Sequence, residues 1–181
     1  GLAPLTPNVY SDGSLKSPGV PHWQCAGLGV WWPQRKTEES PETQVELDYT
    51  LTEQREDGLQ VAARLPCWAA SSTRCEIGAM ILAVAGPGPV NIALDNSTAV
   101  NKGKEIITHL RKRAVTELKT NEGALILGGG VSMLHRESPW KRRWATMKDG
   151  DLWENFHMAV KTKGPDAVWL TKVKGHAGDE L

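Results

Sequence analysis

The period of the hydrophobic positions changes repeatedly along the chain, and each change marks an element. Near the start, Asn8-Val9-Tyr10-Ser11 runs into Asp12-Gly13-Ser14, strand formers followed by turn residues. Gly1–Pro7 before it is read as a leader. Cys25–Trp32 predicts a second strand, whose glycines allow neighbouring backbone to pack closely. Val45, Leu47, Tyr49 and Leu51 alternate with Glu46, Asp48 and Thr50, and such alternation predicts a half-buried strand. Glu53–Gly58 then reads as a charged turn and Leu59–Leu65 as a further strand. Either of these strands can pair with Cys25–Trp32, and the pattern does not choose between them.

The period then becomes helical. Beyond Ser71-Ser72-Thr73-Arg74-Cys75-Glu76, the residues Ile77, Met80, Ile81 and Val84 fall on one helical face. Gly86-Pro87-Gly88-Pro89 breaks that helix. Val90–Leu94, apolar but for Asn91, reads as a buried strand running straight into Asp95-Asn96-Ser97, a polar cluster suited to start a helix. That helix carries a stripe of Ile107, Leu110, Ala114 and Leu118, with an interruption expected at Gly103. Asp149-Gly150-Asp151 is predicted to cap a helix bearing Leu152, Trp153, Phe156, Ala159 and Val160. Asp166–Val173 is a last strand, followed by the loop Lys174–Gly178. The alternation of strands and helices predicts an α/β fold.

Composition narrows the function classes. A chain of 181 residues is read as one domain, 1–181, with a substantial core. Lys plus Arg equals Asp plus Glu at 21 each, which argues against coating nucleic acid by bulk charge and leaves room for a local basic patch. Nothing in it reads as a membrane span. The cysteines Cys25, Cys67 and Cys75 form no Cys-x-x-Cys pair and read as reduced thiols of an intracellular protein, with nucleus and cytoplasm both open. The absence of an initial Met suggests a piece of a longer protein. Gly128-Gly129-Gly130 lacks the Lys-Ser/Thr of a phosphate-binding P-loop.

The candidate chemistry begins with carboxylates. Asp95 ends a buried strand, where open α/β sheets bind ligands. Asp12 ends another strand, although a turn would use an aspartate equally well. Glu76 edges the buried helical face, and Thr73-x-x-Glu76 also spells a capping box that would occupy it locally. Carboxylate oxygens are the preferred ligands of Mg²⁺ and Mn²⁺. His176 lies between glycines at a strand end, an unlikely place for a core imidazole. In Pro139-Trp140-Lys141-Arg142-Arg143-Trp144, cations framed by indoles suit a nucleic-acid backbone; the other reading is a solvated basic loop with its tryptophans in the core.

With these motifs in place, the sequence resembles the type 1 ribonuclease H family over nearly its whole length. The matching stretches are Ser11-Asp12-Gly13-Ser14, Thr73-Arg74-Cys75-Glu76, Leu94-Asp95-Asn96-Ser97, Asp151-Leu152-Trp153 and Lys172-Val173-Lys174-Gly175-His176-Ala177-Gly178. Trp140–Trp144 is similar to the basic handle with which some members grip their substrate. The resemblance implies a mixed five-stranded sheet flanked by helices and metal-dependent cleavage of the RNA strand of an RNA–DNA hybrid. Asp12, Glu76 and Asp95 would hold two Mg²⁺ or Mn²⁺ ions, and His176 would assist proton transfer or product release. Ser14 and Asn96, beside the two aspartates, would join Trp140, Lys141, Arg142, Arg143 and Trp144 in touching nucleic acid.

The family pattern also has a fourth carboxylate after the histidine, at the head of a final helix. Here the chain stops five residues after His176. Asp179 takes that role if the loop is shortened; otherwise the ligand and the final helix lie beyond Leu181. The leading expectation is a ribonuclease H domain of a retroelement polyprotein, next to a reverse transcriptase. The alternative is a catalytically impaired domain that binds nucleic acid or acts as a spacer. An integrase-like or exonuclease-like relative is disfavoured by the histidine loop and the Trp-rich basic segment.

Overall fold

The structure, a computed structural model, describes residues 1–16, 25–65, 71–123 and 138–174, and only the backbone for 116–123. Its strands are β1 (Val9–Lys16), β2 (Cys25–Pro33), β3 (Leu51–Arg55), β4 (Gly58–Arg64), β5 (Val90–Leu94) and β6 (Val168–Lys172). Its α-helices are α1 (Gln44–Tyr49), α2 (Ser72–Ala85), α3 (Ser97–Gly123) and α4 (Gly150–Lys163). The strands form one mixed sheet in the order β3-β4-β2-β1-β5-β6. β1, β2, β4 and β3 pair antiparallel, whereas β5 runs parallel to both β1 and β6.

The mixed sheet agrees with the family pattern, but it has six strands rather than five. The sixth is β3, an edge strand fully exposed along its length, so no hydrophobic alternation announced it. It is β4 that pairs with β2, and β3 lies outside β4. Part of the expected charged turn is thus the end of this hairpin.

The expected strand over Val45–Leu51 is instead the helix α1 followed by β3. The alternating apolar residues Val45, Leu47, Tyr49 and Leu51 are all exposed, and it is Glu46 that is buried. Thr43 and Glu46 form a reciprocal capping box, which starts a helix where alternation suggested a strand. Arg35 then grips Glu46 through two bonds, Nη1 to Oε1 at 2.7 Å and Nη2 to Oε2 at 2.8 Å. Burial alone would raise the Glu46 pKa; the Arg35 and Thr43 bonds outweigh it and hold the carboxyl below its usual value.

The core lies between the sheet and the helices. β5 is buried at every position, as a central strand should be. Its polar residue, Asn91, is satisfied: its amide donates to the carbonyls of Pro4 and Leu5, and its Oδ1 accepts from Thr171 Oγ1. The segment Gly1–Pro7 is therefore hydrogen-bonded to the sheet, and the amide of Ala3 also donates to the Asp166 carbonyl. Gly103 does not interrupt α3. A Cβ there would lie 2.4 Å from Leu170 Cδ1, so the glycine lets the helix settle against β6. In α4, Leu152, Trp153, Phe156 and Val160 are buried as the helical stripe predicts, and His157 joins them. Among the described residues, no helix is long and apolar enough to cross a membrane.

The Arg35–Glu46 pair yields a stability prediction. Glu46→Ala should strand a buried guanidinium and destabilise the protein by about 3–5 kcal/mol in urea unfolding, whereas R35M/E46L should lose far less. Equal losses for the two would mean that the charges themselves hold the α1 segment in place.

Candidate metal centre

The carboxylates of Asp12, Glu76 and Asp95 converge. Each offers an oxygen that lies within 4.8 Å of the others. Backbone pairing explains how two of them meet. Tyr10 of β1 is level with Ala93 of β5, and the same parallel register carried forward two residues sets Asp12 level with Asp95. Glu76 arrives from above on α2. A Cβ at Gly13 would lie 2.4 Å from both the Cys75 carbonyl carbon and the Glu76 nitrogen, so only glycine allows helix and strand to approach so closely.

The helix start decides between the two readings of Glu76. Ser71 is the N-cap of α2, and its hydroxyl accepts from the Arg74 amide at 3.1 Å. The capping box over Thr73 and Glu76 is not formed, and the glutamate is left to face the aspartates. It is buried, and its Oε2 has no hydrogen-bond partner. Burial pushes the Glu76 pKa up to about 7, reinforced by the charges of Asp12 and then Asp95, while the Gly13 backbone bond pulls the other way.

This donor set fits a hard divalent cation. Three carboxylates face one another, one with an orphaned buried oxygen, and all three are oxygen donors of the kind Mg²⁺ and Mn²⁺ prefer. A cation would replace mutual repulsion by attraction and hold Glu76 ionised.

The other predicted site residues divide. Ser14 is exposed on β1, two positions from Asp12. Asn96 caps α3, its Oδ1 accepting from the Ala99 amide at 3.0 Å. Lys141, Arg142 and Arg143 are exposed. The flanking indoles turn inward. Trp144 is buried, and Trp140 packs edge-on against Trp144 and Trp153 while its Nε1 donates to Glu105. Trp144 therefore belongs to the core and offers no face for stacking, and Trp140 has most of its ring engaged. His176 and Asp179 lie outside the described residues.

Sequence reasoning missed Arg74. Its Nη1 donates to Asp151 at 2.8 Å and to Asp149 at 3.3 Å, and its Nη2 to the second Asp151 oxygen, joining the head of α2 to the head of α4. These bonds, Asp151 foremost, raise its pKa. Asp149 was expected to cap α4 with its side chain; it sits at φ 56° and makes no such bond, because Arg74 has taken it. Two acids around a glycine gave a cap signal, and nothing local pointed to a partner so far away in sequence.

No protein-family model matches the chain, and no curated protein matches it. Among solved structures it is similar to the "Solution structure of PFV RNase H domain", with 16% identity, 96% of this chain and 81% of that chain covered, and a TM-score of 0.48.

The raised Glu76 pKa fixes the sign of a pH effect. The unfolded chain loses this proton near its ordinary value of 4.5, the folded protein only near 7. Without metal, the contribution to stability is full below the first value and is lost as pH rises to the second. In EDTA at pH 8, Glu76→Gln should therefore be more stable than wild type by on the order of 1–3 kcal/mol, with little difference at pH 4. Mn²⁺ should raise the melting temperature of wild type and not of the variant. A variant less stable than wild type at pH 8 would contradict this electrostatic picture. Gly13→Ala should cost about 1–3 kcal/mol of stability by overpacking and weaken Mn²⁺ binding, read by calorimetric titration.

Proposed function

We propose that this protein hydrolyses the RNA strand of an RNA–DNA hybrid with divalent metal ions held by Asp12, Glu76 and Asp95. The observation that carries the reading is the convergence of three carboxylates from two adjacent strands and the helix packed on them. The motifs around those residues, and the segment Lys172–Gly178, support the type 1 ribonuclease H resemblance. Bound ions, two in this reading, supply charge neutralisation at the phosphoryl group and acidify water.

The chain's own residues divide the remaining work. Asp12 and Asp95 reach solvent at the sheet end, where a phosphodiester can approach. Glu76, buried on α2, closes the site from the helix side. His176, four residues after β6 in the sequence, would assist proton transfer or product release. Lys141, Arg142 and Arg143 bind phosphates away from the cleaved bond. Selectivity for a hybrid comes from 2′-hydroxyl contacts and groove shape, so no base reading is needed. In a retroelement setting, a reverse transcriptase would supply the hybrid.

The test is direct. With a hybrid labelled on either strand, Mg²⁺ or Mn²⁺ should support cleavage of the RNA strand alone. EDTA and Asp95→Asn should each abolish it. A hybrid that is bound but never cut by wild type would refute the hydrolase reading and leave a binding module.

A further inference from the structure

Along α1 and β3 the usual relation of side chain to solvent is inverted. The helix α1 has one buried residue, and that residue is Glu46. Val45, Leu47 and Tyr49 are exposed, as is Leu51 at the start of β3. Val45 and Tyr49 stand one turn apart and are neighbours on the helix surface, and Tyr49 leads within two residues to Leu51. These are four of the nine large apolar side chains exposed among the described residues, so the exposure is concentrated here rather than scattered.

The orientation is held in place. Arg35 meets both Glu46 oxygens, donates further to the carbonyls of Ser40 and Pro41, and Thr43 closes the capping box. A buried ion pair adds little stability over an apolar pair of similar volume, so turning the apolar residues inward would serve stability at least as well. The bonds instead fix the segment with its apolar side chains in water. Beside it runs an open strand edge. β3 is outermost in the sheet and exposed at every residue. Arg55 pairs with Gly58 across a two-residue turn, so Arg55, Glu53 and Leu51 bond β4, and the N–H and C=O groups of Thr52 and Gln54 face outward. A rigid apolar patch next to a free strand edge suits an extended polypeptide, which adds its main chain to the edge and its side chains to the patch.

Charge selects the partner. Between Lys36 and Asp57, with the closed Arg35–Glu46 pair left aside, seven acids stand against two bases, a net charge of −5 in a chain whose total is zero. One of those bases, Arg55, is already bonded to Glu53 at 3.1 Å. Such a rim repels phosphates, and it repels a second copy of the same face, but it attracts lysine and arginine. We propose that α1 and the outer edge of β3 form a docking site for an extended basic segment of another polypeptide, one that alternates apolar side chains with lysine or arginine and pairs with β3 as an added strand. β4 and β2 separate this surface from the carboxylate-bearing β1, so its role does not depend on hydrolysis.

The probe is a fluorescent octapeptide of alternating lysine and valine, followed by anisotropy at physiological salt. Two controls are the same peptide with glutamate for lysine, and one with proline at two valine positions. The first peptide should bind saturably and the controls should not. Y49S/L51S, which removes apolar contacts, and Thr52→Pro, which removes an outward N–H, should each weaken binding by about tenfold. Both changes fall on exposed positions, so melting temperatures should stay near that of wild type. In hydrogen exchange, the Thr52 and Gln54 amides should slow when the peptide is bound, a mark of strand pairing that charge attraction alone would not leave. Equal binding by wild type and both variants would reduce the contact to bulk charge and overturn the docking site. So would failure of wild type to bind the lysine–valine peptide. A wild type that dimerises in sedimentation while Y49S/L51S stays monomeric would name a second copy as the occupant and refute the basic-segment assignment.

Discussion

The missing side chain at Gly13 is the constraint on which the site depends. Because no Cβ intervenes, the backbone of α2 at Cys75 and Glu76 rests directly on β1. That contact puts Glu76 beside Asp12, and the β1–β5 register brings Asp95 alongside. The helix cannot easily retreat, because α4 holds it at both ends. At the head, Arg74 bonds Asp149 and Asp151; at the tail, Lys163 Nζ donates to the carbonyls of Gly86 and Gly88, each at 2.7 Å. α4 is in turn anchored by Trp153 and Phe156 in the core. One glycine contact and two clamps therefore fix a carboxylate that local sequence places only on a helix.

The two buried glutamates show what such fixing costs. Glu46 and Glu76 are both nearly inaccessible, at 1% and 6% exposure, yet their acidities move in opposite directions. Glu46 has its counterion within the chain, a guanidinium that meets both oxygens. Glu76 faces two further acids and keeps an orphaned oxygen. A chain selected for stability alone would not keep that arrangement, since an apolar residue there would remove both desolvation and repulsion. A divalent cation held by the three acids would supply the attraction that Glu46 finds in Arg35.

Much of this was legible in the sequence because hydrophobic period and turn chemistry agreed. The β1, β2, β4, β5 and β6 strands, α2 and α4 fell near their predicted places, and the three acids could be named from their positions at element ends. The failures share a cause: a long-range contact overrode a local pattern. Val45, Leu47 and Tyr49 alternate as in a strand, but the Arg35–Glu46 pair, eleven residues apart, buries the polar side of the segment. The Thr43-x-x-Glu46 capping box was present in the sequence and would have given the right answer. Gly103 read as a break because the Leu170 side chain that requires it comes from another element. Asp149 does take the N-cap position of α4, but its carboxylate is spent on Arg74, which local sequence could not show.

The tryptophans teach the same lesson about recognition. Trp140 and Trp144 frame three cations in sequence, which suggested aromatic platforms, but their rings complete a cluster with Trp153, Phe156 and His157. The cations they frame are exposed. Even Trp169 is covered, by Lys104 and Arg111 at 5.1 Å each. Indoles thus serve as rigid supports from which charges are presented. In the proposed reading such a surface would meet phosphates rather than base faces, with a grip steep in salt and indifferent to sequence. Those are the properties that the proposed hydrolase would need to cut one strand wherever a hybrid happens to lie.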